Sequence, residues 1–308
     1  MKAMDMAEML HLQNLRGELR VDEPMARHVS WRAGGKAART YAPADVDDLS
    51  AFLCTIPCME GLYFVGLGSN LLVRDGGVRA TVVFTHWALR QITLLSTGDR
   101  HIEIHAGAGI ASPKAARFAA LHGAEGAEFL AGIPGTIGGA LAMNAGCFGG
   151  EIWDLISSVT TIDRAGQLHQ HAREEFQIGY RSVKGPADEW FVSATLKVPL
   201  GDGDKSRNKI KTLLSQRIAS QPLQQPNAGS VFRNPTNDHA ARLIEACGLK
   251  GTRIGGAEIS QKHANFIVNT GGASAADIEA LIDLAQDNVR EKLGVELERE
   301  VRIIGERA

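Results

Sequence analysis

The residues best suited to bind a cofactor here are glycines, 34 in a chain of 308, and they are clustered. Glycine lets backbone amides approach a ligand closely and permits positive φ, so glycine clusters mark loops that cradle phosphate. Gly66-Leu67-Gly68-Ser69-Asn70 follows a run that reads as a buried strand. A dinucleotide fingerprint of the Rossmann kind would need glycine at position 71, where Leu71 stands, and no helical pattern follows. Gly107-Ala108-Gly109 fails the same test, with Ser112 at the third place. The most specific cluster is Ala131-Gly132-Ile133-Pro134-Gly135-Thr136-Ile137-Gly138-Gly139-Ala140, continued by Met143-Asn144-Ala145-Gly146-Cys147. Its glycines would each cost a helix about 1 kcal/mol, which favours a backbone-lined ligand site over a close-packed helix pair. The sparse charge suits a flat aromatic ring lying over small residues, with pyrophosphate held by amides.

Other side chains could act on a substrate. Ser230 follows Gly229, so its hydroxyl can sit on an exposed turn. Arg181 can fork onto a carboxylate and stays charged at any working pH. Glu300 opens a run, Glu300 to Ile304, that reads as a strand. Taken singly, these residues are better read as a turn residue, a surface or salt-bridge arginine and a solvated charge at a strand start. Cys54 and Cys58 lie close together, but no second pair stands at zinc-ligand spacing and no histidine is near. With Cys147 and Cys247 they read as small buried thiols in a reducing compartment, and no metal site is expected.

The length suits two or three compact units. Apolar side chains make up 44 %, enough for real interiors, and 33 basic residues nearly cancel 35 acidic ones. No net field steers such a protein toward nucleic acid or an anionic membrane, so a polyanionic ligand must find its counter-charge locally. Met1 to Arg20 reads as a polar helical arm without the apolar core of a secretory signal, and no apolar run approaches the roughly 20 residues of a membrane span. A cytoplasmic protein is expected and, with no long apolar surface stripe, a monomer.

Several elements are legible. Asp45 to Leu53 reads as helix, Leu62 to Val65 and Val82 to Phe84 as short buried strands, and Ile102 to His105 as an alternating one. Ser112-Pro113 should open a helix, capped by Ser112 and closed by Gly123. Asp154 to His171 reads as a hairpin turning at Ala165-Gly166, Phe191 to Val198 as a strand, and Gly201 to Asp204 as a linker. Beyond it Ile210, Leu213, Leu214 and Ile218 form one apolar stripe, and Ala240 to Cys247 forms a helix stopped by Gly248. The clearest helix runs from Ser274 to Leu293, begun by a Ser274/Asp277 capping box and ended by Gly294.

With these pieces in order, the sequence resembles the UDP-N-acetylenolpyruvoylglucosamine reductases, flavoenzymes of the two-subdomain FAD-binding fold shared with vanillyl-alcohol oxidase. The resemblance rests first on Trp31-Arg32-Ala33-Gly34-Gly35, Gly66 to Leu72, and Ala131 to Asn144 with Gly146-Cys147-Phe148-Gly149. It continues through Gly179-Tyr180-Arg181, Asn227 to Pro235, Lys262 to Phe266 and Glu300-Val301-Arg302, in family order. It implies an α+β chain with FAD-binding subdomains at 20–85 and 86–200. A smaller α/β substrate domain would follow at 201–308, its last strand packing back on the FAD region. It further implies non-covalent FAD held by Gly66, Gly68, Ser69, Asn70, Leu71, Gly132, Gly135, Thr136, Gly138, Gly139, Asn144 and Gly146, with NADPH as co-substrate.

The implied reaction belongs to bacterial peptidoglycan precursor synthesis. A hydride passes from NADPH through the flavin to the β-carbon of an enolpyruvyl group on a UDP-linked amino sugar, giving UDP-N-acetylmuramate. Negative charge then develops on the α-carbon and its carboxylate, which calls for a cation or acid and a proton donor. By resemblance Ser230 is the proton donor, Arg181 holds the carboxylate, and Glu300 shares a proton beside it. Arg233, Asn234 and Lys262 would receive the charged groups of the nucleotide. The family usually places one residue between the arginine and a serine, whereas Ser182 follows Arg181 at once, and the stretch from Ser182 to Glu189 is that of a short-loop form. An FAD-dependent oxidase or dehydrogenase of a hydroxy acid or sugar lactone would share the glycine loops without needing Ser230, Arg181 and Glu300 together. A non-catalytic nucleotide-binding module would purify colourless.

Overall fold

The computed structural model describes residues 15–308. Strands β1 (Glu18–Pro24) and β2 (Lys36–Ala42) precede helix α1 (Val46–Leu53), and β3 (Leu62–Val65), β4 (Leu71–Val73), β5 (Val78–Phe84), β6 (Ile92–Thr97) and β7 (His101–Gly107) follow it. Helices α2 (Ser112–Leu121) and α3 (Ile137–Met143) lead to β8 (Gly146–Cys147), β9 (Gly150–Glu151), β10 (Ile156–Asp163) and β11 (Leu168–Ala172). Then come β12 (Gln177–Gly179), β13 (Ser182–Lys184), β14 (Glu189–Pro199) and α4 (Gly203–Ser220). The chain ends with α5 (Ala240–Ala246), β15 (Arg253–Ile254), β16 (Ala257–Ile259), β17 (Ile267–Asn269), α6 (Ala275–Leu293) and β18 (Arg302–Ile304).

These elements form two compact units. Among the described residues, one takes 15–20 with 39–66 and 80–214, the other 21–38, 67–79 and 215–308. The structure therefore groups the chain otherwise than the segments 20–85, 86–200 and 201–308: the first is shared between both units, and α4 begins in one and ends in the other. The physical reason lies partly in β4, which pairs in parallel with β18 from Leu71 opposite Arg302 to Val73 opposite Ile304 and so joins residues 67–79 to the C-terminal segment.

In the first unit a five-stranded antiparallel sheet runs β11-β10-β14-β7-β6. Period-two alternation on β7 and β14 sends Ile102, Ile104, Ala194, Leu196 and Val198 into the interior. Trp153 and the small faces of α2 and α3 close that core, and the Trp153 indole donates to the Leu141 carbonyl at 2.9 Å. In the second unit a three-stranded antiparallel sheet, β15-β16-β17, belongs to one core with the apolar face of α6, where Ile278, Leu281, Ile282, Ala285 and Val289 are all buried.

Most expected elements are found: α1 is capped by Asp45, the β10–β11 hairpin turns through Gly166, and α6 carries the Ser274/Asp277 capping box and ends at Gly294 with φ +69°. Others are corrected. Of the expected arm at 1–20, residues 1–14 lie outside the described residues, and Glu18 to Arg20 are the start of β1. Ser112 is not a cap but lies inside α2, with Ala111 at the N-cap and Ser112 fully buried. Gly203 and Asp204 are helical, because the Asp202 carboxylate accepts from the Asp204 and Lys205 amides and starts α4 there. The stripe on α4 is buried only at Ile210, and Ile218 is exposed. Leu293 is exposed as well. Cys54 and Cys58, at the end of α1 and in the loop beyond, are exposed; of the four thiols only Cys247 is buried. Glu300 precedes β18 by two residues instead of opening it.

Candidate active site

The first unit carries the glycine run and Arg181. Thr136 is the N-cap of α3, its hydroxyl accepting from the Gly139 amide at 3.3 Å. A Cβ placed on Gly66 would meet that hydroxyl oxygen at 2.4 Å, so the first glycine loop starts hard against the run and only glycine fits. At Gly139 an added Cβ would find, outside its own helix, nothing within 4 Å except the same oxygen at 3.5 Å. Gly139 and Pro134 are exposed and Gly135 and Gly138 half-buried, whereas Gly132 and Thr136 are buried. Bare backbone thus faces open space at Gly139, whereas Gly138 and Gly132 are close-packed, an added Cβ meeting Ala108 at 2.8 Å and Cys147 at 2.6 Å. FAD fits these residues.

The run ends at Asn144, which takes φ +47° as the C-cap of α3. Asn144 is 1 % exposed, and its amide group is spent within the protein. Nδ2 donates to Glu151 Oε2 at 2.7 Å and to the Gly179 carbonyl at 3.1 Å, while Oδ1 accepts from the Trp153 amide at 3.4 Å. It holds two tight hairpins together. β8 and β9 pair Cys147 with Gly150 across Phe148-Gly149, and β12 and β13 pair Gly179 with Ser182 across Tyr180-Arg181. Phe148 at φ +53° and Arg181 at φ +51° both occupy the left-handed region, which side chains rarely adopt and which costs on the order of 1 kcal/mol each. The immediate Arg181-Ser182 step is what this two-residue turn requires. From it Arg181 reaches back to the run, Nη1 donating to the Asn144 carbonyl at 3.2 Å and Nη2 to the Gly146 carbonyl at 2.8 Å. Its guanidinium also lies 5.3 Å from the centre of the half-exposed Tyr180 ring.

The second unit carries the other candidates. Gly68 has φ +59°, and a Cβ there would lie 2.1 Å from the His28 carbonyl oxygen, while its own carbonyl accepts from the Ser30 amide at 3.1 Å. Asn70 follows in the same loop. Its Nδ2 donates to the Glu300 carbonyl at 3.1 Å, and its own carbonyl accepts from the Arg302 amide at 3.0 Å. The Glu300 amide donates to the Val231 carbonyl at 2.8 Å, and the Arg233 amide to the Glu298 carbonyl at 2.9 Å. Residues 231–233 and 298–301 therefore run side by side, bringing together Ser230, Glu300 and Asn70, which are far apart in sequence. A cleft of about 320 Å³ opens at Glu300, with Arg74, Arg233, Arg299 and Arg302 on its lining. Arg74 there is paired with Glu279 at 2.9 Å and Arg299 with Asp283 at 2.6 Å.

The remaining candidates have structural partners. Asn234 Oδ1 accepts from the Ala240 amide at 3.1 Å and so caps α5, and exposed Lys262 donates through Nζ to the Ile218 carbonyl at 2.6 Å. Sequence reasoning passed over Asn265, which is 3 % exposed and binds the backbone next to Ser230. The available signal was an amide inside the apolar run Ala264 to Val268, since a buried amide must find partners. Its neighbour His263 accepts from the Asn265 amide at 3.3 Å through Nδ1, and burial pushes the pKa of that imidazole down.

A backbone-lined glycine run next to an arginine turn is the arrangement of a flavin-dependent oxidoreductase, and the comparisons agree. Residues 37–171 match the FAD binding domain family, and residues 221–304 match the C-terminal domain of UDP-N-acetylenolpyruvoylglucosamine reductase. The chain is 56 % identical over 305 residues to the UDP-N-acetylenolpyruvoylglucosamine reductase of Thiobacillus denitrificans, covering 95 % of this chain and 94 % of the relative. With that of Methylococcus capsulatus it shares 56 % identity over 291 residues, 94 % of each chain. The crystal structure of the Thermus caldophilus reductase, MurB, superposes with a TM-score of 0.77 at 30 % identity, covering 94 % of this chain and 100 % of that one. The chain belongs to the UDP-N-acetylenolpyruvoylglucosamine reductase family, with the two-part FAD-binding fold and C-terminal domain expected from its motifs.

Proposed function

We propose that the chain reduces UDP-N-acetylenolpyruvoylglucosamine to UDP-N-acetylmuramate with NADPH, in peptidoglycan precursor synthesis. Bound FAD supplies the two-electron carrier between the two substrates. Residues 20–200 hold it, through the glycines and polar groups of the Gly66 to Leu71 loop and the Gly132 to Gly146 run, and residues 201–308 receive most of the nucleotide. Arg181 takes the enolpyruvyl carboxylate, and Glu300 shares a proton with it. Ser230 delivers a proton to the α-carbon as the β-carbon gains a hydride, so the double bond gains two electrons and two hydrogens. A serine is a weak acid, and the neighbouring cation and carboxyl are what let its proton move. Arg233, Asn234 and Lys262 meet the phosphates and sugar.

The observation that carries this reading is the 2.8 Å bond from the Glu300 amide to the Val231 carbonyl, which sets the acid and the serine on adjoining segments. The purified protein should be yellow, release its flavin into the supernatant on acid precipitation, and oxidise NADPH only when the enolpyruvyl nucleotide is present. Colour retained in the pellet would contradict non-covalent binding, and turnover of a small alcohol without NADPH would sink the assignment. Among the described residues no helix is long and apolar enough to cross a membrane. We place the reaction in the cytoplasm, on a monomer, and size-exclusion chromatography at working concentration checks the latter.

A further inference from the structure

Asn265 makes a closed set of bonds to the segment that carries Ser230. Its Oδ1 accepts from the Phe232 amide at 2.9 Å, and its Nδ2 donates to the Phe232 carbonyl at 2.8 Å. Its backbone carbonyl accepts from the Val231 amide at 2.9 Å. Four residues on, the Asn269 amide donates to the Pro226 carbonyl at 2.9 Å. The loop from Pro226 to Phe232 is thus fastened at both ends to one buried segment, 265–269. Between the fastenings, Asn227 Oδ1 accepts from the Gly229 amide at 3.0 Å, and Gly229 turns at φ +77°. Val231, pinned by Asn265 through its amide, accepts through its carbonyl from Glu300 at 2.8 Å and from Val301 at 3.3 Å. One buried residue, by its side chain at Phe232 and its main-chain carbonyl at Val231, therefore holds the backbone that bears the serine and, through Val231, the backbone that bears the acid.

We infer that Asn265 is a positioning residue for proton delivery, setting Ser230 and Glu300 in register with each other. The inference rests on the proposed roles of those two residues. The amide is matched to the task, because a side chain that accepts from the N–H and donates to the C=O of one residue fixes the orientation of the two peptide planes on either side of it as well as their distance. Catalytic groups tolerate little displacement, and an error of about 1 Å costs roughly 10²-fold in rate.

The test uses the FAD-loaded full chain. Asn265→Asp keeps the acceptor and loses the donor, and Asn265→Ala removes both. Each should retain flavin and accept reducing equivalents from NADPH at the normal rate, while reoxidation by the enolpyruvyl nucleotide slows about 10- to 100-fold, more for Ala than for Asp. Amide hydrogen exchange at residues 231–232 and 300–301 should quicken in both. Because Asn265 acts through Ser230, adding Asn265→Ala to Ser230→Ala should slow reoxidation little further. Equal slowing of both half-reactions, full additivity in the double variant, or unaltered exchange at those amides overturns the inference. If Ser230→Ala alone leaves reoxidation untouched, the assignment of Ser230 fails instead, and the exchange data still decide whether Asn265 clamps the two segments. Should Asn265→Ala not fold, Asn265→Asp carries the same comparison.

Discussion

The two units hold their candidate residues by different means. In the first, Arg181 sits at a two-residue turn in the left-handed region, tied through Asn144 to a second tight hairpin, by bonds within residues 144–182. In the second, Ser230 and Glu300 are placed by segments from remote parts of the chain: Asn70, residues 231–233, Asn265 and residues 298–302. The first arrangement stores local backbone strain. The second spends long-range backbone pairing. Substitutions in the first should therefore disturb one short stretch of chain, and those in the second several remote segments at once.

Ser230→Ala tests this most severely. Accepting reducing equivalents from NADPH involves no α-carbon, so that half should run at close to its normal rate. Reoxidation should slow by roughly 10²–10⁴-fold, the scale of losing a positioned acid. Substrate affinity should barely change, since one neutral hydrogen bond contributes about 1 kcal/mol. Anaerobic stopped-flow on the flavin absorbance resolves the two halves. Equal slowing of both would make Ser230 a structural turn residue.

Arg181→Lys and Glu300→Gln come next. Lysine loses the planar fork and its reach to the Asn144 and Gly146 carbonyls, so binding and turnover should both weaken, by roughly 10- to 100-fold for a charge-assisted pair. Glutamine keeps the shape of Glu300 and removes its proton equilibrium, so turnover should fall more than affinity. Wild-type steady-state kinetics in either variant removes that residue from the site. Asn144→Ala probes the local half through stability. It leaves Glu151 Oε2, the Gly179 carbonyl and the Trp153 amide each short of a partner, and thermal unfolding should show a loss of about 1–3 kcal/mol.

The same contrast explains what the sequence could tell. Local signals were readable: the Ser274 to Gly294 helix and the turn at Gly166. Ser230 and Glu300 could be proposed only by resemblance, because nothing in either residue's neighbourhood along the chain records that residues 231–233 and 298–301 run together. The unit boundaries were illegible for the same reason. The pairing of β4 with β18 joins residues more than 200 positions apart, and no composition shift marks it. Asn144 also has a structural part that its motif does not record, since its amide holds the Arg181 hairpin.

The smallest effect compares the units through two histidines that titrate in opposite senses. In the first unit His171 on β11 bonds to Glu175 at 3.0 Å and Glu189 at 2.7 Å. The hydrogen bond to Glu175 chiefly raises its pKa, with burial opposing and Glu189 assisting. In the second unit burial lowers the pKa of His263. A raised folded value means that His171 stabilises fully below its unfolded pKa near 6.5, and that this contribution is lost as pH rises through the raised folded value. His263 does the reverse: its contribution is present above about 6.5 and is lost as pH falls toward its lowered folded value. Each should amount to about 1 kcal/mol or less, because His171 is partly screened by solvent and His263 is not fully enclosed. Thermal unfolding between pH 5.5 and 8, where carboxylates with ordinary pKa values stay ionised, measures both. His171→Gln should flatten the decline on the alkaline side, and His263→Gln the decline on the acid side. Profiles for both variants that parallel the wild type would place the pH dependence elsewhere and remove the electrostatic part of the contrast between the two units.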